Sequence, residues 1–147
     1  MIKYVKMEEI HVPQIAAIEK LCFGDPWNEQ SIATELHNRL SLWYVALDGD
    51  TVAGYVGSQT VLGETDMMNI AVHPDYRRRG VAQTLVNTLV AALAENGSHS
   101  LMLEVRVSNE PAKALYEKLG FRQVGLRPRY YRNPREDALI LRKEWEL

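Results

Sequence analysis

One stretch constrains this chain more than any other: Asn69-Ile70-Ala71-Val72-His73-Pro74-Asp75-Tyr76-Arg77-Arg78-Arg79-Gly80-Val81-Ala82-Gln83. Met67 to Val72 is apolar and β-branched, the composition of a strand. His73-Pro74-Asp75 must interrupt it, because proline offers no N–H to a ladder and pushes the residue before it away from helical dihedrals. A basic turn follows, Arg77 to Gly80. Beyond it Val81, Leu85, Val86, Leu89, Val90 and Leu93 recur at helical spacing, and Asn96-Gly97 is a helix stop. A strand, a basic glycine turn and a helix start together make an anion site. The first N–H groups of a helix lack intrahelical acceptors, and the helix dipole is positive there. Gly80 lets the backbone approach a ligand, and the arginines bring forked donors suited to phosphate. The physical reading is a phosphate or pyrophosphate held at residues 78 to 83. By itself, though, a basic turn ahead of a helix is more often a solvated surface.

A length of 147 residues predicts one domain, spanning 1–147, with a core large enough to fold alone. The net charge of −2 excludes a general nucleic-acid binder. The single cysteine, Cys22, excludes an intramolecular disulfide and a multi-cysteine metal site, and fits a reducing compartment. It reads as a small buried apolar residue of the first helix. Met1-Ile2-Lys3-Tyr4 does not open a signal peptide, and no apolar run is long enough to span a bilayer. The expectation is a cytoplasmic protein with no membrane partner and no direct nucleic-acid partner.

In chain order, Ile2 to Lys6 reads as a strand. Ile10, Ile15, Ile18, Leu21 and Cys22 form the apolar stripe of a helix ending near residue 22. Asn28 is the N-cap of a second helix, with Ile32 and Leu36 facing inward. The intervening loop carries Phe23 and Trp27, and two readings stand side by side: rings that plug the core edge, or one wall of a substrate groove. Leu42–Leu47 and Thr51–Val61 are strands joined at Asp48-Gly49-Asp50, and Gly54 and Gly57 mark close backbone approach in the second. With the strand that ends at Val72 they form an antiparallel meander. The helix after Gly80 then crosses to a parallel strand, Leu101 to Arg106. Period two places Met102, Glu104 and Arg106 on one face of it. A carboxylate there is either paired with Arg106 or solvated, or else a general base at a partly buried site. Ser108-Asn109 caps another helix, whose stripe is Ala112, Leu115, Tyr116 and Leu119, stopped by Gly120. Taken alone, Tyr116 reads as a packed aromatic and Asn109 as a cap. Two last strands, Phe121–Leu126 and Asp137–Lys143, flank a basic loop at 127–135. His73 and His99 sit beside turns and read as solvated. No His/Cys set has ligand spacing, so no metal is expected.

Two blocks carry a resemblance. Arg77-Arg78-Arg79-Gly80-Val81-Ala82 is similar to the acetyl-CoA turn of the GNAT (GCN5-related N-acetyltransferase) superfamily. Leu103-Glu104-Val105-Arg106-Val107-Ser108-Asn109 through Leu115-Tyr116-Glu117-Lys118-Leu119-Gly120-Phe121 resembles the second half of the same core, in the same order and spacing. The resemblance implies an α/β single-domain acyl-CoA N-acyltransferase fold with a mixed central sheet flanked by helices. It implies acetyl-CoA as co-substrate, held by Ile70, Ala71, Val72, Arg78, Arg79, Gly80, Val81, Ala82, Gln83 and Asn109. It implies Glu104 as the base that takes the amine proton and Tyr116 as the acid at the departing thiolate, with no metal. Pro26-Trp27-Asn28-Glu29, Asn69-Ile70-Ala71-Val72, Tyr130-Tyr131 and Arg135-Glu136-Asp137-Ala138 are similar to the branch that acetylates the N-terminal alanine of a small-subunit ribosomal protein. That branch commonly has Ser or Thr where Asn28 stands. The likeness implies a protein N-terminus as acceptor, with Trp27, Tyr130 and Tyr131 lining its groove. Two other readings stay open: a small amine or lysine side chain as acceptor, and a non-catalytic acyl-CoA-binding regulatory module. Retention of both Glu104 and Tyr116 argues against the second. Desolvation by Met102 and its neighbours is expected to raise the Glu104 pKa, with Arg106 opposing.

Overall fold

In a computed structural model, which describes residues 1–146, the chain forms seven strands and four α-helices. The strands are β1 (Ile2–Lys6), β2 (Ser41–Asp48), β3 (Thr51–Val61), β4 (Glu64–Val72), β5 (Ser100–Arg106), β6 (Arg122–Tyr131) and β7 (Glu136–Glu144). The helices are α1 (Val12–Cys22), α2 (Glu29–Glu35), α3 (Val81–Glu95) and α4 (Glu110–Lys118). All strands join one mixed sheet in the order β1-β2-β3-β4-β5-β7-β6.

Strands β1 to β4 are an antiparallel meander. A two-residue turn links β2 to β3, with Gly49 at φ +60° supplying the conformation that other residues resist. The glycines inside β3 are there for room. A Cβ on Gly57 would lie 2.2 Å from the Trp43 ring, and one on Gly54 would lie 2.8 Å from the Ala71 carbonyl oxygen. Met68 is an extra residue in β4, between Met67, which faces Ser58, and Asn69, which faces Gly57.

Helix α3 carries the chain from β4 to β5, and the two strands pair in parallel as expected. They pair only from Glu64–Asp66 to Ser100–Met102. Past that point β5 pairs with β7 alone, so the β4 edge from Asn69 to Val72 that faces β5 has no strand partner. This opening in the middle of the sheet positions everything that follows.

Two cores flank the sheet. On one face α3 and α4 pack Val81, Leu85, Val86, Leu89 and Tyr116 against Val56, Leu101, Leu103 and Val105. On the other, α1 and α2 pack Ile15, Ile18 and Ile32 against Trp43, Val45, Tyr55 and Ala71. That second core holds no residue of β5, β6 or β7, so Met102, Glu104 and Arg106 line a face that no helix covers.

Three expectations need correction. The first-helix stripe is wrong at its ends: Ile10 is 77% and Leu21 61% exposed. A 3-10 turn over Glu9–His11 precedes α1, which shifts Ile10 out of register, and His11 and Glu19 occupy inward positions. Cys22, at the last residue of α1, is half-buried rather than buried. The basic loop at 127–135 is mostly strand, because β6 runs to Tyr131 and leaves Arg132 to Arg135 as the turn. Pro128 argued for a loop, yet β6 is an edge strand, where proline is tolerated, and its pairing is irregular between Arg127 and Tyr131.

Candidate active site

The basic turn is built as a cradle for an anion. Pro74–Tyr76 forms a single 3-10 turn, and Arg78 and Gly80 then take left-handed dihedrals, φ +64° and +74°. The first bond of α3 is from the Thr84 N–H to the Gly80 carbonyl, 3.1 Å. The N–H groups of Val81, Ala82 and Gln83 therefore have no intrahelical acceptor. A Cβ on Gly80 would meet nothing within 4 Å, so the space over the turn is open. The arginines divide their roles. Arg79 lies 5.1 Å over the Tyr76 ring, and Arg77 donates to the Cys22 thiol at 3.5 Å. Arg78 is exposed. Gln83 accepts from Lys118 at 3.2 Å, which ties α3 to α4. Asn109 caps α4 through its Oδ1, which accepts from the Ala112 N–H at 3.2 Å.

Glu104 and Tyr116 reach the opening between β4 and β5 from its two sides. Glu104 stands on the uncovered face of β5. Burial raises its pKa; Arg127, 3.6 Å away, opposes that, Asp66 raises it further, and Tyr130 lowers it. The expected direction holds, but the opposing cation is not Arg106. Arg106 bonds Glu136 at 3.2 Å and the carbonyls of Arg132 and Pro134 at 3.0 and 2.9 Å. Arg127 was hidden from a reading of β5 alone, because β7 lies between them and only the register Arg106–Ala138–Arg127 brings it to the same face.

Tyr116 is 5% exposed, on the α3/α4 side. Its ring meets Phe121 edge-on at 5.3 Å, and its hydroxyl points at the Met67 sulfur, 4.0 Å away. Burial, then the nearby Tyr131 phenol, hold its pKa well above the usual tyrosine value, so it is protonated and able to donate. Tyr131 links the two sides. Its pKa is pushed up to about 12, by burial first and then by Tyr130 and Glu104, and Arg106 lies 4.4 Å over its ring. Tyr130 packs against it at 5.0 Å and is half exposed. Arg129, Tyr131, Arg132, Asn133 and Arg135 line a cavity of about 470 Å³ beside this cluster.

Trp27 plugs the edge of the α1/α2 core, as the first reading of its loop expects. It is half-buried and packs against Trp43 at 5.6 Å, and its loop reaches the β6–β7 turn, where a Cβ on Gly24 would be 3.6 Å from that of Asn133. His99 is exposed as expected, whereas His73 is half-buried and accepts from the Asp75 N–H.

Two buried carboxylates escaped the sequence reading altogether. Glu19 accepts from the Trp27 N–H, the Tyr55 hydroxyl and the Asn69 amide. Glu35 accepts from Ser41, the Trp43 indole and Gln59. The Glu19 partners lie 8, 36 and 50 residues away, and those of Glu35 lie 6, 8 and 24 away. The one local hint is a glutamate falling on an apolar stripe, Ile15-Ile18-Glu19 or Ile32-Glu35.

A strand edge open toward a sheet gap, with a basic turn opening the next helix and Glu104 and Tyr116 beside the gap, fits the plan of an acyl-CoA transferase. The acetyltransferase (GNAT) family model matches residues 12–121, and the chain belongs to that family. It is 37% identical over 137 residues to the [ribosomal protein bS18]-alanine N-acetyltransferase of Escherichia coli strain K12, covering 92% of each chain. The crystal structure of the ribosomal-protein-S18-alanine N-acetyltransferase from Escherichia coli superposes with a TM-score of 0.92 at 34% identity, covering 100% of this chain and 96% of that one. The fold is also that of Arabidopsis thaliana NAA60 in complex with acetyl-CoA, with a TM-score of 0.89 at 18% identity, covering 98% of both chains. The chain is thus an N-acetyltransferase of a family whose fold uses acetyl-CoA.

Proposed function

We propose that this chain transfers the acetyl group of acetyl-CoA to the N-terminal α-amine of a protein, and that its acceptor is the N-terminal alanine of ribosomal protein bS18. One observation carries the reading: Glu104, on the uncovered face of β5, and the Tyr116 hydroxyl, beside Met67 of β4, flank the β4–β5 opening, and burial makes the Glu104 carboxylate a stronger base. The relatives' activity, named above, supports the choice of acceptor.

The residues fit acetyl-CoA. The N–H groups of Val81, Ala82 and Gln83, with Arg78, Arg79 and Gly80, would hold its pyrophosphate. The unpaired edge at Ile70, Ala71 and Val72 would hold the pantetheine arm, and Asn109 would close over it from the start of α4. When bound, acetyl-CoA supplies an activated acyl carbon and a thiolate leaving group.

An α-amine has a pKa near ~8, so at neutral pH much of it arrives as ammonium. Glu104, whose carboxylate burial makes a stronger base, takes that proton directly or through water. Tyr116 keeps its own proton until the sulfur develops charge, then donates it. Trp27, Tyr130 and Tyr131 flank the approach, so that an extended chain end reaches Glu104 more readily than a side chain does. This acceptor places the reaction in the cytoplasm, where ribosomal proteins are made.

The test is thiol release from acetyl-CoA with a panel of Ala-starting peptides, lysine-containing peptides and small amines. The expected result is highest turnover with peptides carrying the bS18 N-terminal sequence. Turnover confined to small amines would overturn the acceptor, and no turnover with any amine would favour a non-catalytic module.

A further inference from the structure

Glu19 is only 1% exposed, and the acid–base pair makes no use of it. Its carboxylate gathers donors from three separate segments. The Trp27 N–H of the α1–α2 loop donates at 2.9 Å, the Tyr55 hydroxyl donates from β3, and the Asn69 amide donates from β4 at 2.5 Å. Asn69 is the first residue after the Met68 bulge, and its Oδ1 accepts from the Ile70 N–H at 3.1 Å. Ile70 begins the β4 edge that faces the opening. On the other side, the Trp27 ring leans on Trp43, which stacks on Tyr55 at 6.0 Å with 12° between planes. A hydrogen-bonded and aromatic circuit therefore runs from the acceptor wall, through Glu19, to the strand edge.

We propose that Glu19 is a positioning residue for acetyl transfer: it fixes the Trp27 wall of the acceptor groove and the Asn69 head of the β4 edge in one relation. The proposal rests on reading the β4–β5 opening as the acyl-transfer site. Packing alone does not require this residue. An apolar side chain on α1 would fill the same interface without desolvating a carboxylate, and leaves no reason to tie together the two segments that must hold the two substrates. Glu35 supplies the internal contrast. It too is buried, at 8% exposure, and accepts from Ser41, Trp43 and Gln59, but it bonds neither Trp27 nor β4 and meets the circuit only at the Trp43 indole.

The experiment measures steady-state kinetics with an Ala-starting peptide, each variant kept well below its melting temperature. Glu19→Gln and Asn69→Ala should each raise the peptide KM and lower kcat by about tenfold. CoA affinity, which the basic turn shares with the β4 edge, should move less than the peptide KM does. Trp27→Ala should raise the peptide KM in the wild type and add little in the Glu19→Gln background, because Glu19 holds the Trp27 backbone N–H and so places the ring that Trp27→Ala removes. Glu35→Gln should lower the melting temperature and leave the peptide KM unmoved. Should Glu19→Gln not fold, Asn69→Ala carries the test, since it removes a single amide. Wild-type kcat and peptide KM in folded Glu19→Gln or Asn69→Ala, or a fully additive Trp27→Ala effect, would overturn the proposal. If the wild type itself leaves the peptide unmodified, the acceptor reading fails instead, and the same variants are assayed with whichever amine the wild type accepts.

Discussion

The Glu104 carboxylate sits between burial, which raises its pKa, and the Arg127 guanidinium, which lowers it. Only the ionised form accepts a proton, so activity should fall as pH drops through that pKa. Arg127→Ala removes the opposing charge, and the acidic limb of kcat/KM should move to higher pH. A limb that stays put, or moves down, would show that Arg127 does not act on the base. Glu104→Gln should abolish the limb and lose most activity at neutral and lower pH. Tyr116 makes a different demand. Its ring is packed against Phe121, and its hydroxyl donates only to the Met67 sulfur among the described residues, at 4.0 Å. Tyr116→Phe should therefore cost less than about 1 kcal/mol of stability while lowering turnover by roughly 10²–10⁴-fold. Turnover unchanged, with the chemical step limiting, would reduce Tyr116 to packing.

At the scale of elements, two glycines that look alike in sequence should behave in opposite ways. Gly57→Ala drives a Cβ to 2.2 Å from the Trp43 ring, which is itself stacked on Tyr55 and cannot retreat freely. A loss of about 1–3 kcal/mol is expected in denaturant unfolding, with no direct effect on the turn that holds CoA. Gly80 has empty space where a Cβ would go, so only its φ of +74° resists replacement. Gly80→Asp should fold and yet bind acetyl-CoA much more weakly, since it sets an anion beside the pyrophosphate. Equal affinity by calorimetry would remove the turn from the binding site. These elements were legible because their signals are local: the Pro74 break, the glycine turn, the 3.6 period of α3 and the alternation of β5. The course of β6 was not, because Arg127-Pro128-Arg129 reads as a loop until β7 supplies a partner. Glu104 and Tyr116 were nominated by spacing and resemblance. Their setting was not: Arg127 reaches Glu104 across the intervening β7, and Glu19 gathers partners 8, 36 and 50 residues away. Hydrogen bonds across such separations leave no periodic trace in a single sequence.

For the whole molecule, the decisive feature is asymmetry. Helices α1 and α2 cover one face only as far as β4, and the sheet parts between β4 and β5 where that cover ends. Folding thus leaves an opening bounded by the β4 edge, whose Asn69 Glu19 holds, and by β5, which carries Glu104. Glu19 makes this measurable, since burial raises its pKa despite three donors. A raised carboxylate pKa means that the folded chain holds the proton more tightly than the unfolded one. Its stabilising contribution is complete below the unfolded value of ~4.3 and is lost as pH rises through the folded value. Relative to Glu19→Gln, which cannot titrate, the wild-type melting temperature should decline as pH rises across that window, and a rise would reverse the assignment. The groove makes the strongest claim, that a free chain end and not a side chain meets Glu104. The direct measurement offers acetyl-CoA and the enzyme an Ala-starting ribosomal peptide and its N-terminally blocked, lysine-containing counterpart, with products mapped by mass spectrometry. Acetylation confined to the α-amine of the first peptide is the expected result. Equal acetylation of both, mapped to lysine, would contradict it.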